Sequence, residues 1–238
     1  MTHSQVLKAA GKNVNLSLEK IGEQLNNLEI GWSYADQCIF CPSLFSLVEF
    51  RKRIVKRAAI STAEVLTGPI RGRKKTHLVT GYVHNAYPPI YTMLARHSGF
   101  TSALLLRGAE GGITPSLRKR DKFFRYWEQS DDLVFETDPL EIGIKQDNRM
   151  IPIPREIIPK RDRAFGPDIN NIKIAKLAAE EGIMAMKGKK SATHDALLYS
   201  ASLVLWHLGR YNSLKEAAVV VRDALSSGKV ADRFYRAT

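Results

Sequence analysis

Two short apolar runs near the middle of the chain each end in residues that could bind an anion. His84 closes the run 77–84, and the loop 107–112, RGAEGG, follows the run 100–106. Glycines let the backbone of such a loop approach a phosphate closely, and histidine or arginine can donate hydrogen bonds to it. The alternatives are a histidine that caps the next helix and a loop that is only a tight turn. The candidate anion contacts are His84, Arg107, Gly108, Glu110 and Gly111.

The residues around these candidates predict a strand, a helix and a second strand. β-Branched and aliphatic residues bounded by glycine are typical of strands. The stretch between the runs begins with Pro88 and Pro89, places apolar residues from Ile90 at helical spacing and stops at Gly99, as a helix would. Strand, helix and strand at this length form a crossover between parallel strands. Ligands of such sheets bind beyond the carboxyl ends of the strands, where His84 and the loop are expected.

The rest of the chain predicts more helices than strands. Ser17 is a good cap for a first helix, and SLKE at 213–216 is a capping box. Residues 113–131 mix cations with aromatics and are interpreted as a loop. Further helices are expected at 42–57, before Gly68, at 172–181 and at 196–208, a strand at 132–136, and an extended excursion at 145–171. We therefore predict a single α/β domain over residues 1–238, with a central, largely parallel sheet flanked by helices.

The charge is the unusual bulk property of this chain. Thirty-six lysines and arginines against 24 acidic residues give a net charge of +12. Such an excess favours a polyanionic partner: nucleic acid, a phosphorylated small molecule or an acidic membrane surface. A solvated surface explains the same clusters, although cations interleaved with aromatics are also typical of single-strand binding. The densest candidates outside 51–57 are Arg71, Arg73, Lys74, Lys75, Arg118, Lys119, Arg120, Lys122 and Arg125.

Other classes of protein fit less well. No apolar run reaches membrane-spanning length and the first residues lack the apolar core of a signal peptide, so a cytoplasmic protein is expected. Cys38 and Cys41 are the only cysteines. Because a structural zinc site would need two further ligands at matching spacing, two free thiols are expected.

The order of several segments resembles the C-terminal α/β domain of the anthranilate phosphoribosyltransferase family, also called glycosyltransferase family 3. The likeness extends over almost the whole chain, and STAE at 61–64 with GYVH at 81–84 is closest to a divergent, YbiB-like branch. The segments that carry it are VLKAAG at 6–11, LSLE at 16–19, the stretch 42–69, RGAEG at 107–111, YNSLKE at 211–216 and SSGK at 226–229.

The resemblance implies site residues and cofactors. Arg51 matches the arginine that contacts the acceptor carboxylate, and Arg57 lies deeper in the same motif. The family binds phosphoribosyl pyrophosphate (PRPP) through GTGGD and orients the acceptor through KHGNR, but neither motif occurs here. Ile113 and Thr114 stand where the family has its metal-binding Asp-Glu pair.

These departures leave two hypotheses. In the first, the chain keeps a ligand site but transfers nothing by itself. No cofactor is then demonstrable from the chain, and PRPP and Mg²⁺ would bind only if an upstream segment or a second chain supplied the missing motifs. In the second, the chain is a non-catalytic, sequence-independent nucleic-acid-binding protein and a homodimer, as the divergent branch implies. An inactive remnant is the third alternative.

Overall fold

The computed structural model describes residues 2–54, 60–108, 112–152 and 169–238. These residues fall into two compact units. The first comprises Met1–Pro42, Ile151–His194 and Arg222–Thr238, and the second Ser43–Met150 and Asp195–Val221. Whether the chain is the single domain expected over 1–238 stays a prediction. No described helix is long and apolar enough to cross a membrane.

The described helices and strands follow one another in a simple order. The helices are α1 (His3–Ala9), α2 (Leu18–Asn26), α3 (Gln37–Phe40), α4 (Pro42–Phe45), α5 (Val48–Lys52), α6 (Ile60–Leu66), α7 (Tyr87–His97), α8 (Ile169–Met186), α9 (Ala192–His207), α10 (Leu214–Ser226) and α11 (Lys229–Arg236). The strands are β1 (His77–Gly81), β2 (Ser102–Leu106), β3 (Asp121–Trp127) and β4 (Leu133–Thr137).

The four strands form one sheet of order β1-β2-β3-β4 in the second unit. β1 and β2 are parallel, as the strand–helix–strand pattern predicts, but β3 and β4 are added antiparallel. The α/β class is confirmed, whereas the sheet is mixed rather than largely parallel. β1 and β2 are joined through α7, the kind of crossover that parallel strands need, whereas β3 and β4 are joined by the short connection 128–132, which is typical of an antiparallel pair.

β3 corrects the interpretation of 113–131 as a loop. Phe123 and Tyr126 are buried while Lys122 is exposed and pairs with Glu136 of β4 at 3.7 Å. The half-buried Phe124 and Arg125 interrupt the strict alternation by which strands are recognised. The strand expected at 132–136 is confirmed as β4.

The core of the second unit lies between the sheet and α7. Leu104, Leu105 and Leu106 of β2 are fully buried, and Ala95 of α7 packs against the same cluster as Leu105. Each fully buried leucine contributes about 1.5–3 kcal/mol of transfer free energy. The central strand is therefore rigidly held, which fixes the ends of its neighbours.

Several predicted helices have different bounds in the structure. The stretch 42–57 is not one helix, because α4 and α5 are separate and residues 55–59 lie outside the described part. Phe45 and Phe50 are exposed, so no continuous apolar stripe holds the two pieces together. α8 continues through Gly182 instead of ending there, and α11 was not predicted. Most of the extended excursion expected at 145–171 lies outside the described residues.

In the first unit, residues near the start of the chain contact residues at its end. Ser17 caps α2 as predicted, accepting from Lys20 N at 3.3 Å. The buried Gln24 side chain on α2 donates to Thr238 Oγ1 at 2.6 Å, and the Trp32 ring stacks on Phe234 with centroids 5.3 Å apart. Both contacts join the start of the chain to its end within this unit.

Candidate functional site

The carboxyl ends of β1 and β2 lie side by side. Gly81 and Leu106 are partners in the ladder, and Tyr82 N donates to Leu106 O at 2.9 Å. The residues that follow these strands, including His84 and Arg107, are therefore at one edge of the sheet. This is the edge at which ligands of parallel strands bind.

His84 is exposed at this edge. Its ring centroid lies 5.9 Å from that of Tyr87, and its carbonyl oxygen accepts from Tyr87 N at 3.0 Å. The N-cap of α7 is Ala86, and no side chain caps the helix. The alternative of a helix-capping histidine is wrong, because the N-cap position of α7 is Ala86, without a side-chain cap, and the His84 side chain is exposed.

Gly108, two residues after β2, lies close to Gly112 and Pro115. Gly108 forms an antiparallel bridge with Pro115 and donates from its backbone to Leu106 O at 2.9 Å. A Cβ at position 108 would collide with the carbonyl oxygen of Gly112. Gly108 is therefore required for the turn itself, which is one of the two roles expected of it. Glu110 and Gly111 lie outside the described residues, and phosphate binding by the loop stays a prediction.

Asp121 is a site residue that sequence reasoning missed. It opens β3 at this edge, is only 5% exposed, and receives a hydrogen bond from the backbone of Ser116. Its Oδ2 has no hydrogen-bond partner among the described residues. Burial raises the pKa of Asp121, although the positive charges of Lys119, Arg149 and Arg107 oppose this. A buried carboxyl with a raised pKa and three cations around it is typical of functional sites.

The only available signal for Asp121 was positional. Once β3 is recognised as a strand antiparallel to β2, its first residue must lie beside the end of β2. If 113–131 is interpreted as a loop, that constraint is absent and the sequence does not determine the position of Asp121.

Tyr82 holds the edge together. It is 2% exposed, and its hydroxyl donates to Lys122 O at 2.8 Å. Burial raises the pKa of Tyr82 to about 12, so the phenol remains a donor at neutral pH. It ties the end of β1 to the start of β3 across the intervening strand and thereby positions Asp121.

Arg51 is engaged within the protein. Its guanidinium on α5 forms an ion pair and hydrogen bond with Glu64 of α6, and the two side chains are 34% and 16% exposed. An acceptor carboxylate would have to compete with Glu64 for this arginine. Its role as an acceptor contact stays a prediction, and Arg57 lies outside the described residues.

The described residues at this edge offer few of the groups that a divalent metal prefers. Magnesium prefers several oxygen ligands, usually including carboxylates. Ile113 and Thr114 offer no carboxylate, and Asp121 lies among cationic charges. Within the described ranges no three His, Cys, Asp or Glu side chains are grouped to hold a metal. Cys38 and Cys41 are both free thiols.

The basic residues divide between the two ends of the sheet. Arg118, Lys119 and Arg120 are exposed next to the start of β3, at the edge just described. The cluster 71–75 precedes β1 and so lies at the opposite, amino-terminal end. Arg73 and Lys74 are exposed there, whereas Lys75 pairs with Glu128 at 2.5 Å.

Two further cations of the predicted set cover aromatic rings. The Arg71 guanidinium lies 4.5 Å from the Phe100 centroid, and that of Arg125 lies 4.2 Å from the Trp206 centroid. Arg125 is on β3 but beyond its middle, away from Arg118. The structure thus does not bring all nine cations into one patch.

Comparison with known proteins gives a consistent result. No family model matches the chain. The chain is 23% identical over 231 residues to anthranilate phosphoribosyltransferase of Methanosarcina mazei, covering 97% of this chain and 56% of the relative. For the enzyme of Aquifex aeolicus the identity is 22% over 226 residues, covering 95% and 59%.

Solved structures show the same likeness. Anthranilate phosphoribosyltransferase from Thermus thermophilus superposes with a TM-score of 0.69 at 18% identity, covering 98% of this chain and 62% of that one. A Saccharomyces cerevisiae variant of the enzyme, with magnesium bound, gives 0.58 at 15% identity, covering 98% and 66%. The predicted resemblance is confirmed in sequence and fold. The chain spans 56–61% of the length of the curated relatives of that name.

Proposed function

We propose that this chain is the anion-binding α/β part of an anthranilate phosphoribosyltransferase-like protein and that it does not transfer a phosphoribosyl group on its own. The observation that carries the proposal is the carboxyl edge of β1 and β2. There Arg107 and the exposed His84 accompany the buried Asp121, while Ile113 and Thr114 replace the metal carboxylates of the family.

The chemistry of that edge supports binding more than transfer. Arg107, Lys119 and Arg149 all act on Asp121 electrostatically, so together they provide positive charge for a small anion. Departure of pyrophosphate builds up negative charge that Mg²⁺ or a close cationic clamp must stabilise. The described residues supply cations but no group of three His, Cys, Asp or Glu side chains that could hold a metal, which favours anion binding without turnover.

A titration with pyrophosphate tests the binding site. Calorimetry should show binding to the purified chain, and Arg107→Met should weaken it about tenfold by removing a charged donor. Arg233→Met is the matched control, since Arg233 is an exposed arginine of the first unit, and should leave affinity within a factor of about two. Equal losses in both variants, or no binding at millimolar pyrophosphate, would reject the site.

A separate assay tests the expected lack of transfer. The purified chain, Mg²⁺, PRPP and anthranilate should show no loss of anthranilate fluorescence above the rate without protein. Turnover above that background would reject this part of the proposal while leaving the anion site intact.

The exposed cations favour a second candidate function, sequence-independent binding of nucleic acid. If about five cations each neutralise one phosphate, log K should fall against log salt with a slope of roughly −4. Replacement of Arg71, Arg73, Lys74 and Lys75 with alanine should weaken filter binding equally for different sequences and make the slope shallower. No binding at micromolar protein in low salt would reject this candidate.

A further inference from the structure

A cavity of about 290 Å³ lies at the amino-terminal end of the sheet, opposite the proposed anion site. It is bordered by the end of β3, the end of α9 and the turn that follows α9. Trp127 pairs with Ser102, the first residue of β2, which fixes the position of the cavity in the sheet. The proposed function makes no use of it. Its main lining residues are Arg125, Trp127, Trp206, His207 and Tyr211.

Aromatic rings form much of the wall. Trp127 stacks on His77 with centroids 5.1 Å apart and meets His207 edge-on at 5.7 Å. Trp206 meets Phe135 edge-on at 4.9 Å. These contacts hold the indole rings in place, yet both side chains remain partly exposed beside the cavity. Indole rings that are fixed and partly exposed beside a cavity are suited to stacking on a planar ligand.

Arg125 contributes a charge that the described part of the protein does not neutralise. Its guanidinium lies 4.2 Å from the Trp206 centroid and 5.5 Å from that of Phe135. None of the described carboxylates or carbonyls pairs with it, and burial lowers the pKa of Arg125. Arg96 differs, because it covers Tyr126 at 3.8 Å but also donates to Asp132 and to two carbonyl oxygens. A partly buried, unpaired arginine is stabilised by an acceptor or anion brought by a ligand.

His207 supplies a second unpaired polar group. It is 3% exposed, and its Nδ1 has no hydrogen-bond partner among the described residues. Its Nε2 lies 2.8 Å from Ser102 Oγ, which lies 2.8 Å from His77 Nδ1. Since Ser102 is fully buried, this chain of three side chains fixes the imidazole in the cavity wall. A buried ring nitrogen without a partner is a point where a ligand hydrogen bond gains free energy.

The rim of the cavity is cationic. The charges of Lys75 and Arg210 act on His77, which touches Trp127. Lys75 Nζ lies 5.6 Å from the Trp127 centroid but pairs with Glu128 at 2.5 Å, so the remaining charge near Trp127 is that of Arg210. A ligand seated against Trp127 would therefore have positive charge beside it, as the phosphate of a nucleotide requires.

We infer that this cavity binds a nucleobase, through stacking on Trp127 or Trp206, a hydrogen bond to His207 and contact with Arg125. The size is suitable, since an apolar cavity of about 150 Å³ accommodates benzene. A free mononucleotide and a base of a single strand present the same chemistry. Only the single-strand source rests on the second candidate function.

Intrinsic fluorescence gives a direct test. The chain has three tryptophans, so Trp32→Phe leaves Trp127 and Trp206 as the reporters of the cavity. Adenosine 5′-monophosphate and uridine 5′-monophosphate should quench their emission and protect it from acrylamide, while inorganic phosphate should not. No quenching by either nucleotide at millimolar concentration would overturn the inference, as would quenching by benzoate alone.

Matched variants in the Trp32→Phe background locate the site. Arg125→Met keeps most of the side-chain stem and should weaken nucleotide binding about tenfold. Arg233→Met should leave it within about twofold. Similar losses in both would overturn the assignment. Thermal melts check that each variant is folded. Protection from acrylamide in the Trp32→Phe protein, in which Arg125 is intact, gives a second measurement that does not depend on the Arg125 variant.

A short oligothymidylate distinguishes the two sources of the base. Quenching by mononucleotides without oligothymidylate binding would support the cavity and reject the nucleic-acid function. Oligothymidylate binding with no quenching, and with equal affinity in Arg125→Met, would support that function and overturn the cavity.

Discussion

Two buried ionisable side chains, His207 and Asp121, lie at opposite ends of the sheet and give opposite pH dependences. Burial, followed by the charges of Arg125 and His77, lowers the pKa of His207 from 6.5 to about 4. Burial raises the pKa of Asp121. Between the folded and unfolded pKa values, protons therefore favour unfolding through His207 and favour the folded state through Asp121.

The His207 shift predicts a loss of stability in acid. The unfolded chain binds a proton on this histidine from about pH 6.5 downwards while the folded chain resists until about pH 4. Stability present above pH 6.5 should fall by up to roughly 3 kcal/mol over that interval. His207→Gln, which keeps a donor or acceptor for Ser102, should flatten this dependence in urea unfolding curves. An unchanged pH dependence in the variant would contradict the assignment.

Asp121→Asn should have the reverse effect. At neutral pH it removes a buried charge and should raise the free energy of unfolding by roughly 1 kcal/mol. The gain should shrink as the pH falls through the raised pKa of Asp121, because the wild-type carboxyl then becomes neutral too. Urea unfolding at neutral pH and near pH 4 measures both values. A gain that persists in acid would show that charge is not the cause.

The helices and strands whose apolar residues recur at regular spacing could be predicted from the sequence. Those in which the spacing of apolar residues is irregular could not. β1, α7 and β2 follow from apolar runs bounded by glycine. β3 lacks the alternation of buried and exposed residues that marks a strand, because Arg125 and Phe124 are both half-buried. Arg125 covers the Trp206 ring, and Phe124 meets Tyr82 edge-on at 5.6 Å. Such tertiary contacts are invisible in a local pattern.

A glycine in the sequence does not by itself show whether a helix ends there. Gly99 ends α7 with a positive φ of 78°, as expected, whereas Gly182 lies inside α8. A glycine within a helix costs only about 1 kcal/mol, which packing can outweigh. The candidate site shows the same division, because the strand ends predict that His84 and Arg107 lie at one edge of the sheet, whereas the position of Asp121 requires the sheet order.

The turn after β2 allows a test with an internal control. Gly108→Ala places a methyl group against the Gly112 carbonyl oxygen, so the loop must rearrange, and a loss of roughly 1–3 kcal/mol is expected. Gly22→Ala in α2 meets nothing within 4 Å and should be neutral or stabilising by about 0.5–1 kcal/mol. Thermal unfolding of the two variants measures the difference. Equal shifts would mean that the loop tolerates a side chain.

At the scale of the whole molecule, the distance between the basic clusters says more about how the protein could bind an anion than the net charge does. A five-residue strand is about 17 Å long, and screening at physiological salt acts over about 8 Å. The cations at 118–120 and those at 73–74 therefore act independently across the sheet of the second unit.

This separation predicts distinct salt slopes for two sets of substitutions. If a nucleic acid contacts one end only, alanine replacement of Arg118, Lys119 and Arg120, or of Arg73 and Lys74, should reduce the slope by about one per lost phosphate contact. Replacing the cations at the end that does not contact the nucleic acid should leave the salt slope unchanged. Filter binding over a salt series measures both slopes. Equal reductions would mean that a ligand spans the sheet.

The serine shared by two imidazoles has a consequence for what the cavity can recognise. With both rings neutral, the single hydroxyl proton of Ser102 can point to His77 or to His207, and each choice fixes the tautomers of both rings. In one isomer His207 presents Nδ1 as a lone pair, and in the other as an N–H. The wall can thus meet either a carbonyl or an amide of its ligand, and the exchange moves protons along three side chains without changing the net charge. The tautomer that a bound base selects at His207 is therefore coupled, through Ser102 of β2, to the tautomer of His77 on β1.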